Sequence, residues 1–162
     1  MITSRSEPVF GCVYKLCALE DGDGKIIPKI KISENPAKIT NPDFKRVYRF
    51  YSKETGKAEA DLITVYDEVI DENEPYELFD PDHVWKRKVM RDYTLRELLV
   101  PVFQNGKCVY ESPSVLEIRE KCKRELKTMW DEVLRFENPH NYYVDLSQRL
   151  WDEKQELLKR RS

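Results

Sequence analysis

The sequence predicts an α+β domain, with short antiparallel strands and hairpins in the first two thirds and two C-terminal helices packed on them. Three observations point there. Short β-branched or aromatic runs alternate with glycine- and asparagine-containing turns as far as Tyr110. From Ser114 onward the apolar residues recur at steps of three and four. A chain of 162 residues is long enough to fold without disulfide staples. Residues 1–162 are therefore expected to form a single α+β domain.

Taken in order, "CVYKLCAL" and "KIIPKIKI" flank "EDGDG", so Gly11 to Leu19 and Lys25 to Ile32 read as a hairpin. Pro28 lacks an N–H donor, which confines the second run to an edge or a bulge. Arg46 to Tyr51 and Ala58 to Tyr66 follow as strands, joined by a turn over Ser52 to Lys57. The stretch from Tyr76 to Tyr110 is less regular, but "LLVPVFQNGKCVY" carries Asn105-Gly106, the dipeptide of tight hairpins. Roughly six to eight short strands are expected.

In "SPSVLEIREKCKRELKTMWDEVLRF" the apolar residues Val115, Ile118, Cys122, Leu126, Met129, Trp130 and Val133 form one helical stripe facing a core. Ser114 and Glu117 make a capping box after Pro113, worth about 1 kcal/mol. Acid-before-base pairs at Glu117/Lys121, Glu120/Arg124 and Asp131/Arg135 mark the solvated face. Asn138-Pro139 ends this helix, and Asp145 with Gln148 caps a second one carrying Leu146, Leu150, Leu157 and Leu158.

Composition narrows the function classes. The 28 basic and 30 acidic residues nearly cancel, so no whole-molecule field draws DNA, RNA or an anionic membrane. No run approaches the roughly 18 apolar residues of a membrane helix, and "MITSRSEPVF" lacks a signal-peptide core, so a cytoplasmic location is expected. Cys12, Cys17, Cys108 and Cys122 show no C-x-x-C spacing and lie far from His83 and His140, so they read as reduced thiols and not as a metal or nucleophile set.

Two loops imitate ligand motifs. "ETGKA" resembles the end of a phosphate-binding loop, but the required glycine is Tyr51 and the required hydroxyl residue is Ala58. "DGDGK" imitates a calcium loop, but Ile32 occupies the position of the final carboxylate. Both read as turns. Lys25, Lys29, Lys31, Lys38, Lys45 and Arg46 precede Tyr48, Phe50 and Tyr51, a mixture suited to single-stranded nucleic acid, yet the aromatics alternate as in a strand with one buried face. The residues by themselves therefore assign no catalytic and no metal-binding position.

Longer stretches carry a resemblance. "EPVFGCVYKL", "PKIKISENPAKITNPDFKRVYR", "LLVPVFQNGKCVYESPSVLEIRE" and "ENPHNYYVDLSQRLW" resemble, in order and spacing, the C-terminal part of nicotinate phosphoribosyltransferases. The resemblance implies an enzyme that condenses nicotinate with phosphoribosyl pyrophosphate, coupled to ATP hydrolysis, to give nicotinate mononucleotide in NAD salvage. It implies a cytosolic dimer using magnesium, in which a catalytic barrel is closed by a second domain that includes this region. Residues 1–10 would then lead out of that barrel, and the main catalytic residues would lie on a preceding N-terminal part absent from this chain. No cofactor is expected on this chain alone; Mg and ATP belong to the full-length family.

By the same resemblance Thr3, Ser4 and Arg5 would follow the turn that grips the phosphate, and Lys15 is the next candidate on the phosphate side. Hydroxyls beside a cation suit phosphate chemically, although the same residues equally lead into a strand. Partners implied are the missing N-terminal part or a homodimer partner. The isolated chain is expected to be inactive, and a free-standing non-catalytic α+β interaction module is the alternative. The apolar residues Val9, Phe10, Val13 and Leu16 would normally be covered by that missing part, so the first dozen residues are expected to be loosely held or to mediate self-association.

Overall fold

The computed structural model of the chain describes residues 13–160. Ten strands and three helices are present among them, in the expected α+β arrangement. Backbone packing divides the chain into two compact units, Met1–Phe44 with Lys154–Ser162, and Lys45–Glu153. The expectations for Val9 to Cys12, and for residues 1–10 as a whole, lie outside the described residues.

In the first unit β1 (Ala18–Glu20) and β2 (Ile26–Pro28) form an antiparallel hairpin, with Ala18 opposite Pro28. The Asp21 carboxylate closes the turn by accepting from the amides of Asp23 at 3.0 Å and Lys25 at 2.9 Å, and Gly24 takes a left-handed φ of 80°. Both strands are shorter than the sequence suggests. The ladder stops at Pro28, which has no N–H to continue it, and the Cys17 carbonyl instead accepts from the amides of Lys29 and Asp43, both at 2.8 Å.

The second unit is built on a four-stranded sheet of order β10-β4-β3-β7. Strands β3 (Lys45–Ser52) and β4 (Ala58–Val65) pair antiparallel around the expected turn, where Gly56 has φ 66°. Strand β7 (Tyr93–Glu97) flanks β3, and β10 (Val144–Leu146) runs parallel to β4 with Asp145 beside Leu62. The sequence pattern predicts a helix cap at Asp145 and no strand here. In the structure Asp145 is part of the ladder, and the Ser147 hydroxyl accepts from the Leu150 amide at 3.2 Å at the start of α3 (Gln148–Lys159).

Alternation along β4 gives the sheet two working faces. Ala60 and Leu62 join Phe50 and Tyr93 in the main core. The hairpin of β5 (Tyr76–Phe79) and β6 (Arg87–Met90) roofs it with Leu78 and Met90. The Phe50 and Tyr93 rings lie 4.7 Å apart, and the buried Tyr93 hydroxyl donates to the carbonyls of Asp71 at 3.0 Å and Glu74 at 2.9 Å. On the other face Ile63 and Val65 pack with Leu146, Leu150 and Trp151, so α3 docks through an apolar contact.

The remaining elements project from this frame. Strands β8 (Phe103–Gln104) and β9 (Lys107–Cys108) form a hairpin on Asn105 (φ 49°) and Gly106 (φ 74°), the pair of left-handed residues that a tight hairpin turn needs. Helix α1 (Val115–Thr128) begins at the expected capping box, with the Ser114 amide donating to Glu117 at 2.7 Å. It stops earlier than expected, at Met129, and a short α2 (Asp131–Leu134) follows. The Lys57 ammonium donates to the carbonyls of Lys127 at 3.0 Å and Met129 at 2.8 Å, giving the helix end partners outside the helix.

The apolar stripe of α1 does not reach a core within the described residues, and Val115 remains 80% exposed. The helix is held to the sheet by charge instead: Glu125 accepts from Arg96 at 2.8 and 2.5 Å and lies 3.8 Å from Arg49. Replacing Glu125→Ala is predicted to cost about 1–2 kcal/mol. The α1 amides should then exchange faster with deuterium while β4 keeps its protection; unchanged exchange along α1 would show that something else holds the helix.

Candidate functional site

Of the positions singled out on the phosphate side, Thr3, Ser4 and Arg5 lie outside the described residues. Lys15 is described, and its ammonium donates to the Lys38 carbonyl at 3.1 Å. Cys17, Cys108 and Cys122 are free thiols. Among the described residues no group of three or more His, Cys, Asp and Glu converges in the way that a protein metal cage requires.

The structure assembles a different site at the open edge of the sheet. Between β10 and the β5–β6 hairpin lies a cleft of about 430 Å³, lined by Leu78, Phe79, Asp80, Trp85, Tyr143 and Asp145 with the charged residues of β6 and β4. Asp80 organises the loop that leads into β6. One carboxylate oxygen accepts from the amides of Asp82 at 2.9 Å and His83 at 3.1 Å, and the other lies 3.0 Å from His83 Nδ1. Burial works to raise the Asp80 pKa, but those hydrogen bonds outweigh it and the group sits below the ordinary carboxylate range. The His83 ring in turn stands edge-on to Trp85, 5.1 Å between centroids.

Asp145 has the opposite environment. Its residue is only 5% exposed, and among the described residues no hydrogen bond or cation reaches its carboxyl. Burial, reinforced by the negative charge of Asp80, pushes its pKa up to about 6. Two carboxyl groups facing one cleft are thus driven apart, one firmly ionised and one titrating near neutrality. Such a pair can hold a cation or exchange a proton.

The cations around the cleft are already engaged. Lys88 donates to Glu59 at 2.6 Å, Lys86 lies 3.9 Å from Asp80, and Arg87 pairs with Glu77 while stacking 5.2 Å over the Phe79 ring. On the opposite face a second polar assembly forms, in which Arg49 donates to Asp61 through two bonds of 2.7 and 2.8 Å and the Tyr142 hydroxyl donates to Asp61 at 3.0 Å. Burial and then the Asp61 charge raise the Tyr142 pKa, keeping that hydroxyl a donor. Sequence reasoning missed both assemblies. The only local signal is the alternation in "YYVDL", too short to distinguish from a helix entry.

A mixed sheet with a roofing hairpin and apolar elements that project from it defines one kind of α+β domain. Comparison with known proteins says which. Residues 44–154 match the model of the nicotinate phosphoribosyltransferase C-terminal domain. The chain belongs to the nicotinate phosphoribosyltransferase family.

It is 35% identical over 158 residues to the nicotinate phosphoribosyltransferase of Bacillus subtilis (strain 168), covering 98% of this chain but 32% of that protein. It is 27% identical over 150 residues to that of Homo sapiens, covering 93% of this chain and 27% of the relative. The crystal structure of human nicotinic acid phosphoribosyltransferase shares the fold at a TM-score of 0.66 and 24% identity, over 74% of this chain and 24% of that one. The chain therefore spans about a third or less of the curated relatives it matches.

The raised Asp145 pKa has a stability consequence. The unfolded carboxyl titrates near ~3.9, so between about pH 4 and 6 the folded state holds the extra proton, and stability is lost as pH rises through that window. Asp145→Asn removes this loss and is predicted to stabilise the protein by about 2–3 kcal/mol at pH 7.5 and by little below pH ~4. Urea unfolding at the two pH values checks it; equal effects at both would contradict the buried, unpaired carboxylate.

Proposed function

We propose that this chain is the C-terminal segment of a nicotinate phosphoribosyltransferase, the ATP-coupled enzyme that makes nicotinate mononucleotide from nicotinate and phosphoribosyl pyrophosphate for NAD salvage, and that it is inactive by itself. The observation that carries this reading is the match of residues 44–154 to the family's C-terminal domain, together with relatives that cover 98% of this chain and only 32% of their own length. The free-standing interaction module is the less favoured reading, because each relative quoted above is an enzyme of this name.

The exposed apolar surface supports it physically. The β8–β9 hairpin leaves Leu99, Val100 and Phe103 open, with Phe103 69% exposed, and the apolar stripe of α1 is equally open. Patches of that kind mark surfaces that another polypeptide covers. Within this reading the covering partner is the N-terminal catalytic part or the second subunit of a cytosolic dimer. Nicotinate, phosphoribosyl pyrophosphate, ATP and magnesium engage the catalytic part, and Thr3, Ser4, Arg5 and Lys15 lie on the phosphate side of the completed site. Stabilising charge on the ribose and pyrophosphate in the transition state needs a preorganised set of donors, which the catalytic part would supply.

Purified chain given nicotinate, phosphoribosyl pyrophosphate and Mg·ATP is predicted to form no nicotinate mononucleotide. Adding the N-terminal two thirds of the Bacillus subtilis relative as a separate polypeptide should restore product, read by chromatography. Turnover by the chain alone would overturn the assignment of the chemistry to the catalytic part.

A further inference from the structure

The cleft beside β10 has an unmatched charge. Lys86, Arg87 and Lys88 each have an acidic partner, at Asp80, Glu77 and Glu59 respectively. Asp145 has none among the described residues, although it is 95% buried and lines the cleft directly. Its oxygens are not among the fully sealed polar atoms, so the carboxyl opens onto the cleft, while burial of the rest of the residue penalises the charged form. The cleft is roomy enough for a small ligand group, and Trp85 stands in its lining with 72% of its surface exposed.

We propose that this cleft is a binding site for a guanidinium or ammonium group, received by the Asp145 carboxylate and covered by the Trp85 ring. An anion is disfavoured because it would meet Asp145, Asp80 and Glu59 while every cation nearby is paired. A bare divalent metal is disfavoured because no three of the carboxyl groups here converge, which leaves most of its coordination unfilled. A guanidinium suits the site on three counts. It is weakly hydrated and so enters a buried position at lower cost than a metal ion, it donates to a carboxylate through a planar fork, and its face stacks on indole. Its charge also relieves the repulsion between Asp145 and Asp80. The source is either a free small cation or an arginine or lysine side chain of another polypeptide, and both present the same chemistry.

The groups facing Asp145 across the cleft are Asp80, Glu59, Lys86, Arg87, Lys88 and Tyr143. Burial displaces the Asp145 carboxyl toward neutrality, so binding should strengthen as pH rises from 5 to 7.5. The test titrates the full chain with methylguanidine, with its neutral isostere methylurea, and with Nα-acetylarginine N-methylamide, following amide resonances of residues 78–80, 85–88 and 143–145.

The expected result is saturable millimolar binding of methylguanidine, no saturable shift with methylurea, and a loss of about tenfold or more in Asp145→Asn. Tighter binding of the capped arginine than of methylguanidine assigns the source to a protein side chain; methylguanidine binding alone assigns it to a free cation. Failure of both cations, or equal binding of methylurea, overturns the proposal in the unmodified protein. Retained affinity in Asp145→Asn, whose folding the same spectra report, overturns it as well. None of these outcomes depends on phosphoribosyl transfer.

Discussion

The second unit depends on the pairing of β10 with β4. By returning parallel to β4, three residues of chain turn an edge strand into a central one, with the Asp61 amide donating to the Tyr143 carbonyl and the Ser147 amide to the Ile63 carbonyl, both at 2.9 Å. The consequence is that Asp61, in the middle of β4, must be buried as a charge. Arg49 and Tyr142 make that tolerable, one across the β3 ladder and one from the approach to β10, so the ion pair and the strand pairing stand or fall together.

That single junction places the rest. On the face carrying Ala60 and Leu62 it closes the core under the β5–β6 hairpin and leaves Asp145 pointing into a cleft beside Asp80. On the other face it sets Arg49 and Arg96 against Glu125, so that α1 is tethered by charge while its apolar stripe faces away. A helix that is polar toward its own sheet and apolar outward is the reverse of what an independent globular domain builds. Under the proposed reading, that outward apolar face is the surface that the rest of the enzyme covers, and the Bacillus subtilis relative is about three times as long as this chain.

The features with local causes were legible in the sequence. The hairpin at Asn105-Gly106, the turns at Asp21 and Gly56 and the cap at Ser114 each follow from a few adjacent residues whose backbone preferences admit few alternatives. What required the fold was everything set by distant pairing. Strand β10 meets β4 across some eighty residues of sequence and is too short to show a period, so "YYVDL" read as the entry to a helix. The end of α1 is set by Lys57, far away in the β3–β4 turn, and no signal in "LKTMW" announces it. The Asp80–Asp145 cleft was illegible for the same reason, since its two carboxyl groups come together only through sheet order. Thr3, Ser4 and Arg5 rest on family resemblance, and they lie outside the residues that the structure describes.

The dependence of the sheet on the Arg49–Asp61 pair is open to one direct measurement, a double-mutant cycle with Arg49→Met and Asp61→Leu followed by urea unfolding. Each single replacement leaves a largely buried charge without its two-bond partner, keeping only Glu125 beside Arg49 or Tyr142 beside Asp61, and should cost about 3 kcal/mol. The double variant should lose less than the sum, by a coupling of about 2 kcal/mol. Additive losses would contradict the account, because they would mean that the sheet tolerates either charge alone and that β10 is held to β4 by its backbone and apolar contacts only.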